Sequence, residues 1–144
     1  MINEAWIQWK PIAYLDNKYF LETVCDTLNG LHIYFAPQQQ SINQRKLKFY
    51  FEFSVKSFRI ADEGCRIELI ADLKHLYGED FYGNWTFFKV ENSLYLQWLS
   101  EQSCTVTDSL NLQHICCITD NSILDIATRY EPKISFIEST KPHE

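Results

Sequence analysis

Alternation of apolar and polar residues is most regular between residues 46 and 56. The positions between the apolar ones carry charged or hydroxyl-bearing side chains, and the apolar positions themselves are Leu47, Phe49, Phe51, Phe53 and Val55. A period of two residues is that of a β-strand with one buried face. We therefore predict a single strand over 46–56, whose apolar face is covered by another element.

The segment that follows has the spacing of a helix that can provide this cover. Its apolar residues recur mostly at intervals of three and four: Cys65, Leu69, Ile70, Leu73, Leu76 and Tyr77. Asp62 can cap the N-terminus of this helix, and Gly78 stands where a helix commonly ends in a residue of positive φ. The pattern predicts a helix between Asp62 and Gly78 that packs over the sheet.

Further strands are predicted in the first third of the chain. Mixed apolar and polar runs cover 5–10 and 18–26, and the run 31–35 follows Asn29-Gly30. Asn-Gly favours the two positive-φ positions of a type I′ turn, whose twist suits an antiparallel hairpin. We expect a hairpin at Asn29-Gly30 and a polar loop after Pro37.

Short strand-like and helix-like segments alternate in the second half of the chain. Expected here are strands over 85–90, 114–119 and 133–137, and a brief helix after Asp120 or Asn121 that contains Ile123, Leu124, Ile126 and Ala127. Residues 94–102 fit both a period of two and a helical period, and the candidate cap Asn92-Ser93 favours the helix.

This order of elements is typical of an α+β domain. We predict one domain over residues 1–144, built on a mainly antiparallel β-sheet. About three short-to-medium helices should pack mostly on one face of the sheet, and a short mobile C-terminal tail should begin at about residue 139. A parallel strand pair near the C-terminus stays open if its crossover is long enough.

Composition indicates a folded domain. Aromatic residues make up 15% of the 144 residues and only 4 Gly and 4 Pro occur, which argues against disorder. No apolar run approaches the roughly 20 residues of a membrane-spanning helix, and the first residues do not resemble a secretory signal. Five cysteines without a Cys-x-x-Cys pair suit reduced thiols. We therefore expect a cytoplasmic protein that does not contact membranes and is a monomer or a weak homodimer.

Charge narrows the class of partner. The chain has 19 acidic residues against 13 Lys and Arg, a formal net charge of −6. Nucleic-acid binding depends mainly on Lys and Arg that neutralise phosphates, so we expect no nucleic-acid partner and instead expect a basic protein. The one basic cluster, Arg45-Lys46-Leu47-Lys48, is interpreted as the solvent-exposed flank of a strand.

Acidic residues concentrate in and after the predicted helix, beside two aromatic residues. Such a surface can steer a basic protein by charge and anchor it through large rings. The predicted partner-binding residues are Asp62, Glu63, Glu68, Asp72, Glu79, Asp80, Tyr82 and Trp85. The alternative interpretation of the carboxylates is a solvated surface without a partner.

Candidate catalytic residues are few. His114 and Cys116 are two residues apart, so on a strand they share one face, and a thiol beside an imidazole can act as a nucleophile. Cysteine is also a common core residue, and we favour this structural role for Cys116 and Cys117. The His and Cys spacings match no zinc or iron site, and there is no glycine-rich phosphate loop. We expect neither a metal nor another cofactor.

Together these features predict a small intracellular protein-binding domain without catalytic activity. In size and charge alone it resembles immunity proteins and antitoxins, which would neutralise a basic toxin such as a nuclease by covering its active site. Two alternatives are an enzyme of unfamiliar type that uses His114 and Cys116, and a structural or adaptor subunit with a permanent partner.

Overall fold

Two antiparallel β-sheets and a layer of helices form the fold in the computed structural model, which describes residues 3–138. Across the five-stranded sheet, the order is β1 (Ala5–Gln8), β6 (Phe87–Glu91), β7 (Gln113–Ile118), β8 (Ser122–Thr128) and β5 (Val55–Asp62). Across the four-stranded sheet, it is β2 (Tyr19–Thr27), β3 (Gly30–Pro37), β4 (Lys46–Phe51) and β9 (Lys133–Ile137). The helices are α1 (Ile67–Tyr77), α2 (Glu79–Gly83) and α3 (Leu94–Gln102), with 3₁₀ helices at Glu63–Cys65 and Val106–Leu110. No helix in this part of the chain is long and apolar enough to cross a membrane.

The five-stranded sheet lies in the middle of the molecule, as adjacent residues of β6 show. The ring centroid of Phe87 lies 5.2 Å from that of Phe35 and 5.1 Å from that of Phe49, both in the four-stranded sheet. The next side chain, Phe88, points to the opposite face, where its ring lies 5.2 Å from that of Phe81 in α2. Because both faces of the central sheet are covered, β7 and β8 are almost wholly buried. The predicted α+β class, with helices on one face of an antiparallel sheet, is confirmed.

The chain bends between β4 and β5 and passes from one sheet to the other, so the predicted single strand over 46–56 is wrong. β4 pairs with β3 and β9, whereas β5 pairs with β8 in the central sheet. Phe51 is buried as predicted, but Phe53 has a left-handed backbone with φ 55° and is 65% exposed. Alternation continues through the bend because both strands have the same period, so the pattern does not mark the point where the chain changes sheet.

The apolar segment after Asp120 is a strand and not the predicted helix. Asp120 and Asn121 lie in a tight turn closed by the Thr119 N–H, which donates to the Ser122 carbonyl at 2.9 Å. β8 then returns antiparallel to β7, and its residues from Ile123 onward are buried. A strand buried on both faces is apolar at nearly every position, which periodicity does not distinguish from a short buried helix.

The predicted helix after the bend begins later than its cap residue suggests. Asp62 ends β5 and accepts a hydrogen bond from the Gly64 N–H, so it caps the short 3₁₀ helix, and α1 begins only at Ile67. The predicted end at Gly78 is confirmed. The predicted helix over 94–102 is also confirmed. As expected for a cap residue, Ser93 accepts a hydrogen bond from the Leu96 N–H at its start.

The predicted hairpin joins β2 to β3, but its turn is not of type I′. Thr27 pairs with Gly30, so the central turn residues are Leu28 and Asn29. Of the Asn29-Gly30 pair, only Gly30 has a positive φ, at 131°. A Cβ on Gly30 would lie 2.1 Å from the Phe51 carbonyl oxygen, which explains why glycine is needed there. The predicted mobile tail from about residue 139 lies outside the described residues.

Phe51 and Phe53 provide a matched test of the bend between the sheets. Phe51→Ala leaves a cavity in the core and should lower the free energy of unfolding by about 3–5 kcal/mol. Phe53→Ala removes an exposed ring and should change it by only about 0.5 kcal/mol. Urea denaturation followed by circular dichroism measures both values, and equal losses would contradict the bend.

Candidate functional site

The two aromatic residues predicted as partner anchors lie in the core. Tyr82 is 9% exposed and Trp85 is 7% exposed. The Trp85 Nε1 donates to the Trp9 carbonyl at 3.0 Å, and its ring packs edge-on against Phe87. Both rings belong to the hydrophobic core, so the prediction that they contact a partner at the surface is wrong. Adjacency to acidic residues in the sequence does not determine the side to which a ring points.

The predicted carboxylates are all exposed, and they divide between two places. Asp62, Glu63, Glu68 and Asp72 surround the first half of α1, whereas Glu79 and Asp80 begin α2. α1 has 11 residues, and a helix of that length extends about 16 Å. The structure therefore brings four of the predicted acidic residues together and leaves the other two at the far end of the helix.

An exposed isoleucine marks the centre of the first group. Ile67, the first residue of α1, is 70% exposed and borders two hollows of about 470 and 530 Å³. Carboxylates line both hollows, and in the first of them Ile70 adds a second apolar side chain. We define the acidic surface as Ile67 with the six carboxylates of these hollows: Asp62, Glu63 and Asp120 in the first, and Glu4, Glu68 and Asp72 in the second.

The acidic surface is not neutralised by the protein itself. None of its six carboxylates forms an ion pair with a cation within residues 3–138. Arg59 and Arg66 line the second hollow, but both guanidinium groups bind the buried carboxylate of Asp125. An exposed apolar side chain is thus surrounded by carboxylates that form no direct ion pair in the described part of the chain.

The half-buried Lys18 adjoins the acidic surface but binds backbone carbonyls of the core. The Lys18 Nζ donates to the carbonyls of Tyr82 at 2.7 Å, Trp85 at 3.0 Å and Ile118 at 2.6 Å. Burial lowers the pKa of Lys18 to about 8, and the negative charge of Asp120 opposes this effect. Because all three ammonium protons are engaged, Lys18 fixes the start of β2 to α2 and β7 and does not pair with the surface carboxylates.

The buried carboxylate of Asp125 contacts three basic side chains: the buried His114, the partly exposed Arg66 and the exposed Arg59. Its Oδ1 lies 2.7 Å from the His114 Nε2, and its Oδ2 accepts from the Arg59 Nε at 2.8 Å and the Arg66 Nη1 at 2.7 Å. Burial acts to raise the pKa of Asp125, but the hydrogen bonds and positive charges of His114 and Arg59 outweigh it and hold the pKa well below its usual range. Arg66 directly precedes α1, so this carboxylate fixes the helix start that presents Ile67.

His114 extends the Asp125 cluster to the start of α3. The Ser93 Oγ lies 2.7 Å from the His114 Nδ1 and accepts from the Leu96 N–H at 3.1 Å. The two ring nitrogens of His114 thus contact Ser93 on one side and Asp125 on the other. The resulting Ser93, His114 and Asp125 chain has the order of a serine-hydrolase triad, but all three residues are buried and Ser93 serves as the helix cap.

His114 and Cys116 share one face of β7, as predicted, with Asp125 opposite Cys116 on β8. Possible metal-ligating atoms of these three residues lie within 4.8 Å of one another. Two guanidinium groups already occupy the Asp125 carboxylate, and burial raises the pKa of Cys116 well above its usual value, so the thiol keeps its proton. Positive charge and a protonated thiol both disfavour a cation here, so the contacts fit a hydrogen-bonded core better than a metal centre.

Sequence patterns missed several members of these sites. Glu4 and Asp120 reach the acidic surface from distant parts of the chain, and Ile67 was not distinguished from core apolar residues. Asp125 offered one signal, a carboxylate within an apolar run, which in a buried strand requires cationic partners.

Comparison with known proteins gives no further guidance, since no family model, curated protein or solved structure matches the chain significantly.

Asp125→Asn tests the ionic cluster through the pH dependence of stability. Because the folded pKa of Asp125 lies below the unfolded one, its ionised form stabilises the fold above about pH 4, and this contribution is lost on further acidification. At neutral pH the variant should lose about 1.5–3 kcal/mol of stability, the range for hydrogen bonds to charged groups, because the exposed Arg59 and the partly exposed Arg66 can bind water instead. Urea denaturation should show that the difference in unfolding free energy between the variant and the unmodified protein shrinks towards pH 3. The control Glu101→Gln, at an exposed position, should change the unfolding free energy little at any pH. A loss for Asp125→Asn that does not depend on pH would contradict this account.

Alkylation of the cysteines tests whether Cys116 is a reactive thiol. In the native protein, iodoacetamide should modify the exposed residues Cys25, Cys65 and Cys104 and spare the buried Cys116 and Cys117. Intact-mass spectrometry should show three adducts before unfolding and five in urea. Rapid native labelling of Cys116 would favour the alternative of a thiol enzyme.

Proposed function

We propose that this protein is a small binding domain whose acidic surface contacts a basic protein. The observation that supports this proposal is the exposed Ile67 between two hollows lined by carboxylates that form no direct ion pair in the described part of the chain. Interfaces combine a central apolar anchor, which excludes water, with a polar rim that selects the partner by charge. Ile67 provides the anchor, and the carboxylates provide the rim.

Charge and rigidity both suit this role. The carboxylates raise the rate of encounter with a positively charged protein and orient it before contact. Arg66 is held by the Asp125 carboxylate at 2.7 Å, so the adjoining Ile67 is presented by an ordered helix start. A pre-ordered surface loses little conformational entropy when it binds, which favours affinity.

Among basic partners, we propose a toxin such as a nuclease, which an immunity protein or antitoxin would neutralise. The active site of a nuclease must hold phosphates and is therefore lined by cations. Carboxylates spread over two hollows can occupy such cations and exclude the substrate. A structural or adaptor role would use the same surface with a permanent partner.

Capture experiments with matched charge reversals test the acidic surface. The tagged full chain should capture a basic protein at low salt from its native host and bind it again after both are purified. Glu63→Lys with Glu68→Lys should reduce that binding at least tenfold, since close interfacial charge pairs contribute about 1.5 kcal/mol or more. Ile67→Ser should also weaken it, and the exposed pair Glu91→Lys with Glu101→Lys, which reverses the same charge elsewhere, should not.

Calorimetry with the purified partner decides the outcome. Equal affinity for both double variants would show that only net charge matters and would overturn the assigned surface. Failure of every captured basic protein to bind again in purified form would overturn the proposed function. If the partner is a nuclease, inhibition at one-to-one stoichiometry is the expected result.

A further inference from the structure

The outer face of the four-stranded sheet shares no residue with the acidic surface. Its inner face carries the buried residues that pack on the central sheet, so the intervening residues of each strand point outward. The strand register places these outward residues in two complete rows across β2, β3, β4 and β9: Cys25, His32, Tyr50 and Lys133 in one, and Thr23, Tyr34, Lys48 and Ser135 in the next. Aromatic rings thus occupy the middle of a flat sheet face.

The rings and lysines of this face are in mutual contact. His32 and Tyr50 lie opposite each other on β3 and β4 and stack with ring centroids 4.6 Å apart. The Lys48 Nζ lies 5.4 Å from the centre of the Tyr34 ring and 5.8 Å from that of Tyr50. All four side chains are half-buried, so they are held in place while part of each faces solvent.

Lys48 contacts these rings, and two further lysines of the sheet each lie beside a carboxylate. Lys46 pairs with Glu22 at 2.7 Å and Lys133 pairs with Glu52 at 3.5 Å, but both pairs are exposed, and such pairs are weak and readily exchanged. Lys48 forms no ion pair with any acidic residue in the range 3–138. Lys46 and Lys48 belong to the basic cluster that the sequence placed on the flank of a strand, and of the two, Lys48 lies over the rings of Tyr34 and Tyr50.

We propose that this outer face binds single-stranded nucleic acid. Unpaired bases can stack on the aromatic rings while phosphates approach Lys46, Lys48 and Lys133. In a duplex the faces of the bases are stacked on one another and cannot contact these rings. An acidic protein would bind the lysines without using the rings, so single-stranded nucleic acid fits the rings and lysines together best. The net charge of −6 argues against nucleic acid only if charge is spread evenly, whereas none of the six carboxylates of the acidic surface belongs to a strand of the four-stranded sheet.

This inference does not depend on the proposed function, because it uses a different face and different residues. Repulsion by the carboxylates of the acidic surface weakens the binding of any polyanion, and salt screens the attraction of the lysines. We therefore expect moderate affinity that falls steeply as salt rises, with little preference for base sequence.

Fluorescence anisotropy of a labelled single strand tests the proposal. The probe is an oligothymidine of about 12 nucleotides, a length within the usual range of single-strand sites, in about 20 mM salt. Tyr34→Ala should weaken binding at least about fivefold, whereas Tyr34→Phe keeps the ring and should bind like the unmodified protein. Lys48→Glu should weaken binding more than Lys74→Glu, which makes the same charge change on the exposed side of α1.

Several results would overturn the proposal. These are the absence of saturable binding, equal effects of Lys48→Glu and Lys74→Glu, and equal affinity for a duplex of the same sequence. Competition by polyglutamate as strong as that by the oligonucleotide would identify an acidic polypeptide as the better ligand and would also overturn it. Thermal melts of each variant separate loss of binding from loss of folding, and the comparison of Lys48→Glu with Lys74→Glu provides the test if Tyr34→Ala unfolds.

Discussion

The carboxylate of Asp125 connects more of this fold than any other single group described here. It lies on β8 and binds His114 of β7, Arg59 of β5 and Arg66 at the start of α1, and His114 in turn contacts the cap of α3. Three strands and two helices therefore share one buried charge. Each of the charged groups depends on the others, because a buried ion without its partner costs several kcal/mol. The position of the helical layer on the central sheet, and with it the acidic surface, follows from this cluster.

Acidic and basic side chains are concentrated on different surfaces of the molecule, which its net charge of −6 does not reveal. Carboxylates gather where α1 begins, and lysines lie on the outer face of the four-stranded sheet. The field of an uneven charge distribution orients a charged molecule before contact is made. The two surfaces share no residue, so occupation of one does not by itself block the other.

Periodicity predicted the elements that bury one face, and it was less informative where burial is complete. The strand containing Leu47, Phe49 and Phe51 and the helix ending at Gly78 follow directly from their spacing, because each has a polar side to contrast with its apolar side. The segment containing Ile123 and Leu124 has no such contrast, since both of its faces are covered. Of the candidate site, the carboxylates of α1 were predictable because charges stay in water. The burial of Tyr82 and Trp85 was not, because it depends on tertiary contacts that no local pattern contains.

β4 can pair with β9 only late in the synthesis of the chain, because β9 is the last strand in the described part of the chain. Lys46 lies opposite Ile137, so one edge of β4 stays unpaired until four further strands of the central sheet and all three helices have been made. Chains emerge from the ribosome at roughly 5–20 residues per second, so the lysine-bearing strand has an open edge for several seconds. During that interval the alternating lysines Lys46 and Lys48 discourage pairing of this edge with another nascent chain.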